Sequence, residues 1–253
     1  MSSYSDFAYV YDELMCDADY KKRTDYVLSL FKKYGKMPTL LLDLACGTGT
    51  FSNAFAKKGI EVIGADMSED MLSIAREKAY DENLNVLYLC QRAEDLDLFG
   101  TIDGAVCLMD SLNHITDVKA LEKAISRVSL FMEKDGLFIF DVNTPYKHKE
   151  VLGNHTFIKE SEDTFCVWQN EYVEKDKTVN IRLDIFSKLD DTYERFCEEF
   201  SEKAYDFGFL ESLLLKYDFE VLKVFDDLSE KDVNPESERA FFVCKKTRET
   251  NGF

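Results

Sequence analysis

The sequence predicts an α/β protein: a parallel sheet covered by helices on both faces, interrupted by an inserted antiparallel β module. Three observations carry the prediction. Between residues 38 and 145, short apolar runs alternate with amphipathic stretches, the pattern of parallel strands buried on both sides. After Pro145 the period becomes two, with Val179, Ile181, Leu183 and Ile185 on one face and Asn180, Arg182 and Asp184 on the other. From Phe209 onward the α/β pattern returns.

Each element has a local reason. Phe7, Val10, Tyr11 and Leu14 recur at helical spacing. Tyr26, Val27, Leu30, Phe31 and Tyr34 give a second helix, ended by Gly35 with Pro38 close behind. Leu40 to Leu44 form an apolar strand that runs into a glycine turn. Phe51, Ala54, Phe55 and Lys58 keep a helical period up to Gly59, a natural stop. Val62 and Ile63 belong to a strand ending at Asp66, and Ser68 caps a helix bearing Met71, Leu72, Ile74, Ala75 and Ala79. Val86 to Leu89 and Ala105 to Met109 are further strands. A helix face of Val118, Leu121, Ile125, Val128 and Phe131 precedes the strand Leu137 to Phe140, which ends at Asp141. In the module, Phe165 and Val167 alternate weakly with Gln169 and Glu171, and Phe196 and Phe200 suit another strand. Phe209, Leu210, Leu213, Leu214 and Tyr217 make the last helix, followed by strands at Val221 to Phe225 and Ala240 to Cys244.

Composition narrows the function. The chain has 253 residues, 45% hydrophobic and 32% charged, which suits one α/β domain with an inserted module and excludes disorder as the main state. Lys+Arg number 31 against 49 Asp+Glu, giving −18; such a surface repels phosphate backbones, so no nucleic-acid partner is expected. The N-terminus has neither a basic region nor an apolar run, and the longest apolar runs are far too short to span a bilayer, so no membrane association is expected. Seven cysteines, an odd count without C-x-x-C, argue against a disulfide framework and a zinc ribbon. Cys90, Cys107 and Cys244 lie in strand-like runs, where cysteine acts as a small hydrophobe. A cytoplasmic protein with reduced thiols is the expectation. The sequence carries no signal for oligomeric state.

The turn Leu41-Leu42-Asp43-Leu44-Ala45-Cys46-Gly47-Thr48-Gly49-Thr50 joins a strand to a helix, and its glycines let a ligand approach the backbone. Dinucleotide sites use the same architecture, but here Ser52 stands where their third small apolar residue would be. Asp66 would serve as a ribose acid under either reading. Asp43, at the strand's carboxyl end, would face a bound pyrophosphate, a repulsion of several kcal/mol at low effective dielectric. A ligand bearing an ammonium or sulfonium is favoured instead. The bland alternative is that Asp43 only bonds the turn's own amides.

At this point the sequence resembles the class I S-adenosylmethionine (SAM)-dependent methyltransferases. L-D-L-A-C-G-T-G is similar to that family's first motif, with Ala45 in place of its usual first glycine, and G-A-D-M-S-E-D-M-L at 64–72 fits the expected spacing. The resemblance spans roughly residues 38–145 and 205–246. It implies a Rossmann-like sheet of seven strands, mostly parallel with the last antiparallel, and SAM as cofactor. It also implies that Asp43 supports the methionine amino end, that Ala45, Cys46, Gly47 and Gly49 pass close to the ligand, and that Asp66 accepts both ribose hydroxyls. Met67 and Met71 would pack near the adenine, though ordinary helix core explains Met71 equally well. The family often has an acid after the third strand for the adenine amino group; here Cys90-Gln91-Arg92-Ala93-Glu94 has none at the expected place, leaving Gln91, Arg92, Ala93 or Glu94 to meet the adenine. Tyr4-x-x-Phe7-Ala8-x-x-Tyr11-Asp12 resembles the segment that folds over the cofactor in small bacterial members, with Tyr4 and Tyr11 on nearly one helix face.

The implied organisation is a helical lid over residues 1–36, a SAM-binding domain of 37–145 and 204–247, and an inserted sheet of 146–203 covering the acceptor side. Ligands of parallel sheets sit beyond the strands' carboxyl ends, so Met109, Asp110 and Asn113 are expected around the methyl donor. Asp110 and His114, one of three histidines, are the candidates for catalysis, with Asp141 behind them. Trp168, Arg182 and Tyr205 are candidates for the acceptor pocket, with packing as the rival reading for each. No metal-ligand spacing is visible. The expected function is methyl transfer from SAM to an N or O atom of a small molecule. The alternatives are a non-catalytic SAM-binding module and an NAD(P)-dependent oxidoreductase, the latter opposed by Asp43 and the missing third glycine.

Overall fold

The computed structural model describes residues 5–249. Helices α1 (Ser5–Leu14) and α2 (Tyr20–Tyr34) lead into β1 (Leu40–Leu44), α3 (Thr50–Ala56), β2 (Glu61–Asp66), α4 (Glu69–Asp81), β3 (Val86–Cys90) and β4 (Ile102–Cys107). Then come α5 (Val118–Phe131) and β5 (Met132–Asn143), followed by four strands in succession: β6 (Thr156–Glu160), β7 (Thr164–Val173), β8 (Thr178–Leu189) and β9 (Thr192–Lys203). Helix α6 (Phe207–Lys216), β10 (Phe219–Asp226) and β11 (Arg239–Lys246) close the chain.

Seven strands form one sheet in the order β10-β11-β5-β4-β1-β2-β3, with β11 antiparallel to both its neighbours and the pairings among β1 to β5 parallel. This is the predicted Rossmann-like arrangement. One face of the sheet (Leu42, Cys107, Phe138, Phe140, Phe242) packs on α5 and α6 through Leu121, Ile125, Val128, Leu210 and Leu214. The other (Leu41, Val106, Ile139, Phe241) packs on α2 and α3 through Val27, Phe31 and Phe55. Helix α2 is therefore a layer of the main core, although the sequence placed it with the lid.

The inserted strands make a separate antiparallel sheet, β6-β7-β8-β9. Its apolar face, Cys166, Val179, Ile181, Leu183 and Ile185, receives Phe7, Ala8, Val10 and Leu14 of α1, with Met71 alongside. The module's core is thus completed by the N-terminal helix.

Two sequence readings change. Cys90 is exposed rather than a buried small hydrophobe: it is the last residue of β3, an outer strand, beyond the buried Tyr88 on the same face. Strand β6 was not foreseen: it is an outer strand with alternate residues in solvent, Ile158 among them, and so lacks an apolar run.

Candidate active site

The site grows from three left-handed residues in the turn after β1: Ala45 (φ 58°), Gly47 (φ 55°) and Gly49 (φ 71°). A non-glycine residue there costs about 1–2 kcal/mol, so Ala45 holds a strained position. Cys46 N–H donates to the Ala65 carbonyl at 3.1 Å, and Gly49 N–H to the Cys46 carbonyl at 3.0 Å, which folds the turn over the end of β2. A Cβ on Gly49 would lie 2.3 Å from the Tyr88 hydroxyl and 2.8 Å from the Ala75 Cβ. Gly49→Ala should therefore combine overpacking with left-handed strain and destabilise by about 2–4 kcal/mol. A thermal midpoint equal to that of the parent would refute this packing. Gly47 differs: its Cβ would meet nothing within 4 Å, so its open side faces the cleft.

Asp66 orders this cradle. One oxygen accepts from Gly47 N–H at 2.8 Å and the other from Ser68 N–H at 2.9 Å. Burial pushes its carboxyl up against these amides. Each oxygen keeps a second lone pair for a ligand hydroxyl.

Asp43 is 2% exposed and accepts from the Ser52 hydroxyl at 2.5 Å. Burial pushes its carboxyl up to about 7, beyond what the Ser52 bond restores. Its full negative charge at neutral pH, assumed in the argument against a pyrophosphate, is thus conditional on a cation arriving. Because the folded carboxyl titrates above its ordinary 3.8, the ligand-free fold binds the extra proton, and stability falls as pH rises from about 4 to 7. Asp43→Asn should lose that slope and exceed the parent by a few kcal/mol above pH 7. Parallel pH–stability curves for the two proteins would remove the effect.

Tyr11 and Tyr20 close the cleft from above, down to about 40 Å³, over Asp43, Ala45, Cys46, Gly47, Thr48, Leu108, Met109 and Ser111. Helix α1 is tied down by Asp12, which accepts from Thr48 (2.7 Å), Thr50 (3.3 Å) and the Lys78 ammonium (2.7 Å). Tyr4 lies outside the described residues.

Beside the cleft, the loop after β4 holds Met109 (φ 57°) and Asp110 (φ 53°), two successive left-handed residues. Asp141, at the end of β5, fixes them by accepting Met109 N–H at 2.8 Å and Asp110 N–H at 3.0 Å. Arg239 of β11 joins the two carboxylates, bonding Asp141 and reaching Asp110 at 2.6 Å. Burial works against the charge on Asp110, but Arg239 and Lys147 overrule it and hold the carboxyl below its usual range. The Asn143 amide nitrogen donates to Asp110 (2.9 Å) and to Glu202 of β9 (3.0 Å). Glu202 also meets His148 Nε2 at 3.0 Å, and its other oxygen lies 3.8 Å from His114 Nε2. Ligand atoms of Asp110, His114 and Glu202 fall within 4.8 Å of one another, a grouping that spacing along the chain did not reveal.

The structure gathers Tyr11, Asp43, Ala45, Cys46, Gly47 and Met109 on the cleft, with Asp66 bonded to its floor. Asp110 and His114 meet at its side. Other expected residues stand elsewhere. Gly49 packs against Tyr88. Asn113 is fully buried, bonding the Asn143 N–H and the carbonyls of Asn143 and Lys203, so it joins β5 to β9 and does not face the donor. Gln91 bonds the Asp97 backbone, and Arg92 pairs with Glu94. Met71 belongs to the core around α1, whereas Met67 is half exposed. Arg182 is on the outer face of its sheet, with Asp184 at 3.0 Å and Glu199 at 2.7 Å. Tyr205 is buried and donates to the Ile115 carbonyl; Trp168 donates to Asn170 at 2.7 Å. Asn143, Lys147, His148, Glu202 and Arg239 were missed, because they come from three segments far apart in sequence.

A parallel sheet with a glycine cradle and an acid at the ends of β1 and β2 defines an adenosyl-binding α/β protein. Comparison with known proteins makes this specific. Residues 41–136 match the family model described as a methyltransferase domain. A Geobacillus sp. protein that carries the methyltransferase name is 32% identical over 246 residues, covering 96% of this chain and all of that one. The crystal structure of an S-adenosylmethionine-dependent methyltransferase from Clostridium acetobutylicum superposes with TM-score 0.88 at 32% identity, covering 97% of this chain and 99% of that one. An amino pentose methyltransferase from Micromonospora echinaspora, solved with SAM bound, shares the fold at 17% identity and TM-score 0.72, over 91% and 96% of the two chains. The chain belongs to the class I SAM-dependent methyltransferases, and its cofactor is S-adenosylmethionine. The residues present fit that group: Gly47 leaves room for a ligand, and Asp66 keeps acceptor capacity for hydroxyls. Among the described residues, no helix is long and apolar enough to cross a membrane.

Proposed function

We propose that the protein transfers the methyl group of SAM to a nitrogen or oxygen atom of a small-molecule acceptor. The observation that carries this reading is the placement of a partly exposed histidine, His114, with Asp110 and Glu202, near enough to act electrostatically on Asp66 of the cradle. When bound, the cofactor supplies an electrophilic methyl group on sulfur.

The chain's residues do the rest. Asp66 accepts the ribose hydroxyls on its spare lone pairs, each bond to a charged acceptor contributing about 1.5–3 kcal/mol. Asp43 becomes fully ionised when an ammonium group reaches it. Tyr11 presents its ring at the cleft that Asp43, Ala45, Cys46 and Gly47 line. His114 takes the proton that the acceptor loses, and β9 shields that side from solvent. Holding acceptor and methyl carbon in line is itself worth several kcal/mol. The strongly acidic surface and the small roofed site disfavour a nucleic-acid acceptor.

Thermal shift against SAM, S-adenosylhomocysteine, NAD(H) and NADP(H), followed by an assay for S-adenosylhomocysteine release over an acceptor panel, tests the reading. Stabilisation by SAM and its demethylated product, with release dependent on acceptor, is expected. SAM binding without turnover of any acceptor would favour a non-catalytic module.

A further inference from the structure

We infer that the acceptor is an amine, which enters as its ammonium form and docks on Asp110 and Glu202; this deepens, and rests on, the methyltransferase reading above. The first argument is the count of donors and acceptors. Several donors of the cluster are engaged: Arg239 on Asp110 and Asp141, the Asn143 amide nitrogen on Asp110 and Glu202, and His148 Nε2 on Glu202, while His148 Nδ1 is enclosed without a partner and the Lys147 ammonium acts on Asp110 and Glu202 through charge. Two acceptors stay open. The Glu202 oxygen towards His114 has no partner closer than the 3.8 Å to that ring. Asn143, itself only 3% exposed, leaves its Oδ1 without any partner. A ligand that satisfies these atoms must bring donors; a hydroxyl brings one, an ammonium up to three.

The second argument is charge. Asp110, Asp141 and Glu202 face Arg239 and Lys147, with Arg23 also acting on Asp141 and Glu238 acting on Lys147. His114 and His148 complete the surroundings. The balance is negative, which attracts an ammonium and repels a phenolate or carboxylate acceptor.

The third argument is the proton. An aliphatic ammonium titrates near 10 and gives up its proton far more readily than an unactivated hydroxyl with a pKa near that of water. The ammonium N–H passes its proton to His114 Nε2, and the imidazolium formed lies beside Glu202. The freed nitrogen lone pair forms the N–C bond as the methyl carbon's bond to sulfur breaks, and that electron pair stays on sulfur. The positive charge leaves on the methylated amine.

The test uses protein saturated with S-adenosylhomocysteine and three pairs of probes alike in shape: benzylamine with benzyl alcohol, cyclohexylamine with cyclohexanol, and butylamine with butanol. Near neutral pH, at least one amine should raise the thermal midpoint more than its alcohol. Glu202→Gln keeps the shape of the side chain and removes its charge. It should weaken the amine by about ten- to a hundredfold and leave the affinity for S-adenosylhomocysteine unchanged. Unchanged S-adenosylhomocysteine binding also shows that the variant is folded. No amine preferred over its alcohol, or a preference that survives Glu202→Gln, overturns the inference. Failure of S-adenosylhomocysteine to bind the parent protein would instead sink the methyltransferase reading beneath it.

Discussion

Arg239→Ala is expected to lower the unfolding free energy by about 3–5 kcal/mol, a large share of the 5–15 kcal/mol typical of a folded domain. Arg239 is 7% exposed and binds the buried Asp141 and the partly buried Asp110. Removing it leaves Asp110 and Asp141 as uncompensated negative charges inside the protein. The same loss releases the turn at Met109 and Asp110, whose two left-handed residues are held through Asp141. Urea denaturation of parent and variant measures the effect. The pH dependence gives a second readout. The Asp110 carboxyl is held below its ordinary 3.8, so it contributes stability that is present above that pH and lost as the solution is acidified. The variant should lack this acid-sensitive part. A loss below about 1 kcal/mol would place the pair among ordinary surface ion pairs and discard its structural importance.

Asp66→Ala should weaken SAM binding by about 2–4 kcal/mol, roughly 30- to 1000-fold in Kd. Two effects combine. The ribose hydroxyls lose a charged acceptor, and the Gly47 and Ser68 amides lose the group that orders the cradle. Asp66→Asn separates them, since its amide oxygen can keep one backbone bond but cannot accept on both sides. Isothermal titration with SAM and S-adenosylhomocysteine provides the numbers. An alanine variant that binds like the parent while remaining folded would take Asp66 out of the site.

Much of the fold was legible because it is written in short periods. The apolar runs of β1, β2 and β4 and the helix face of α5 are local patterns, and they ended near where the strands and helix end. Outer strands were harder. β6 buries one face only and Ile158 lies on the other, while Cys90 is exposed where the outer strand β3 ends. β5 begins at Met132, well before its apolar run, because Glu133 to Asp135 are exposed and carry no hydrophobic signal.

The cleft at the ends of β1 and β2 follows from one turn and one strand end, so Asp43, Gly47 and Asp66 could be placed together from spacing. The other side could not. Glu202 meets Asp110 only because a whole inserted sheet folds back, and Arg239 reaches it from the last strand. Nothing in the residues near Arg182 distinguished an acceptor contact from a solvated face; its ion pairs with Asp184 and Glu199 show the latter. For Asn113, backbone geometry decided: its side chain was needed to join β5 and β9.

The seat of α1 on the inserted sheet carries a consequence for how the chain is made. Helix α1 emerges during synthesis well before the partners it packs on. Glu13 bonds Thr164, 151 positions on, and the Lys159 ammonium caps the Leu14 carbonyl across 145. At about 5–20 residues per second, the apolar stripe of Phe7, Val10 and Leu14 waits many seconds before Ile181 and Ile185 exist to cover it. The nascent protein is therefore most exposed to aggregation and chaperone capture while its sheet is half made, and a truncation before β8 should leave a sticky N-terminus rather than a smaller folded enzyme.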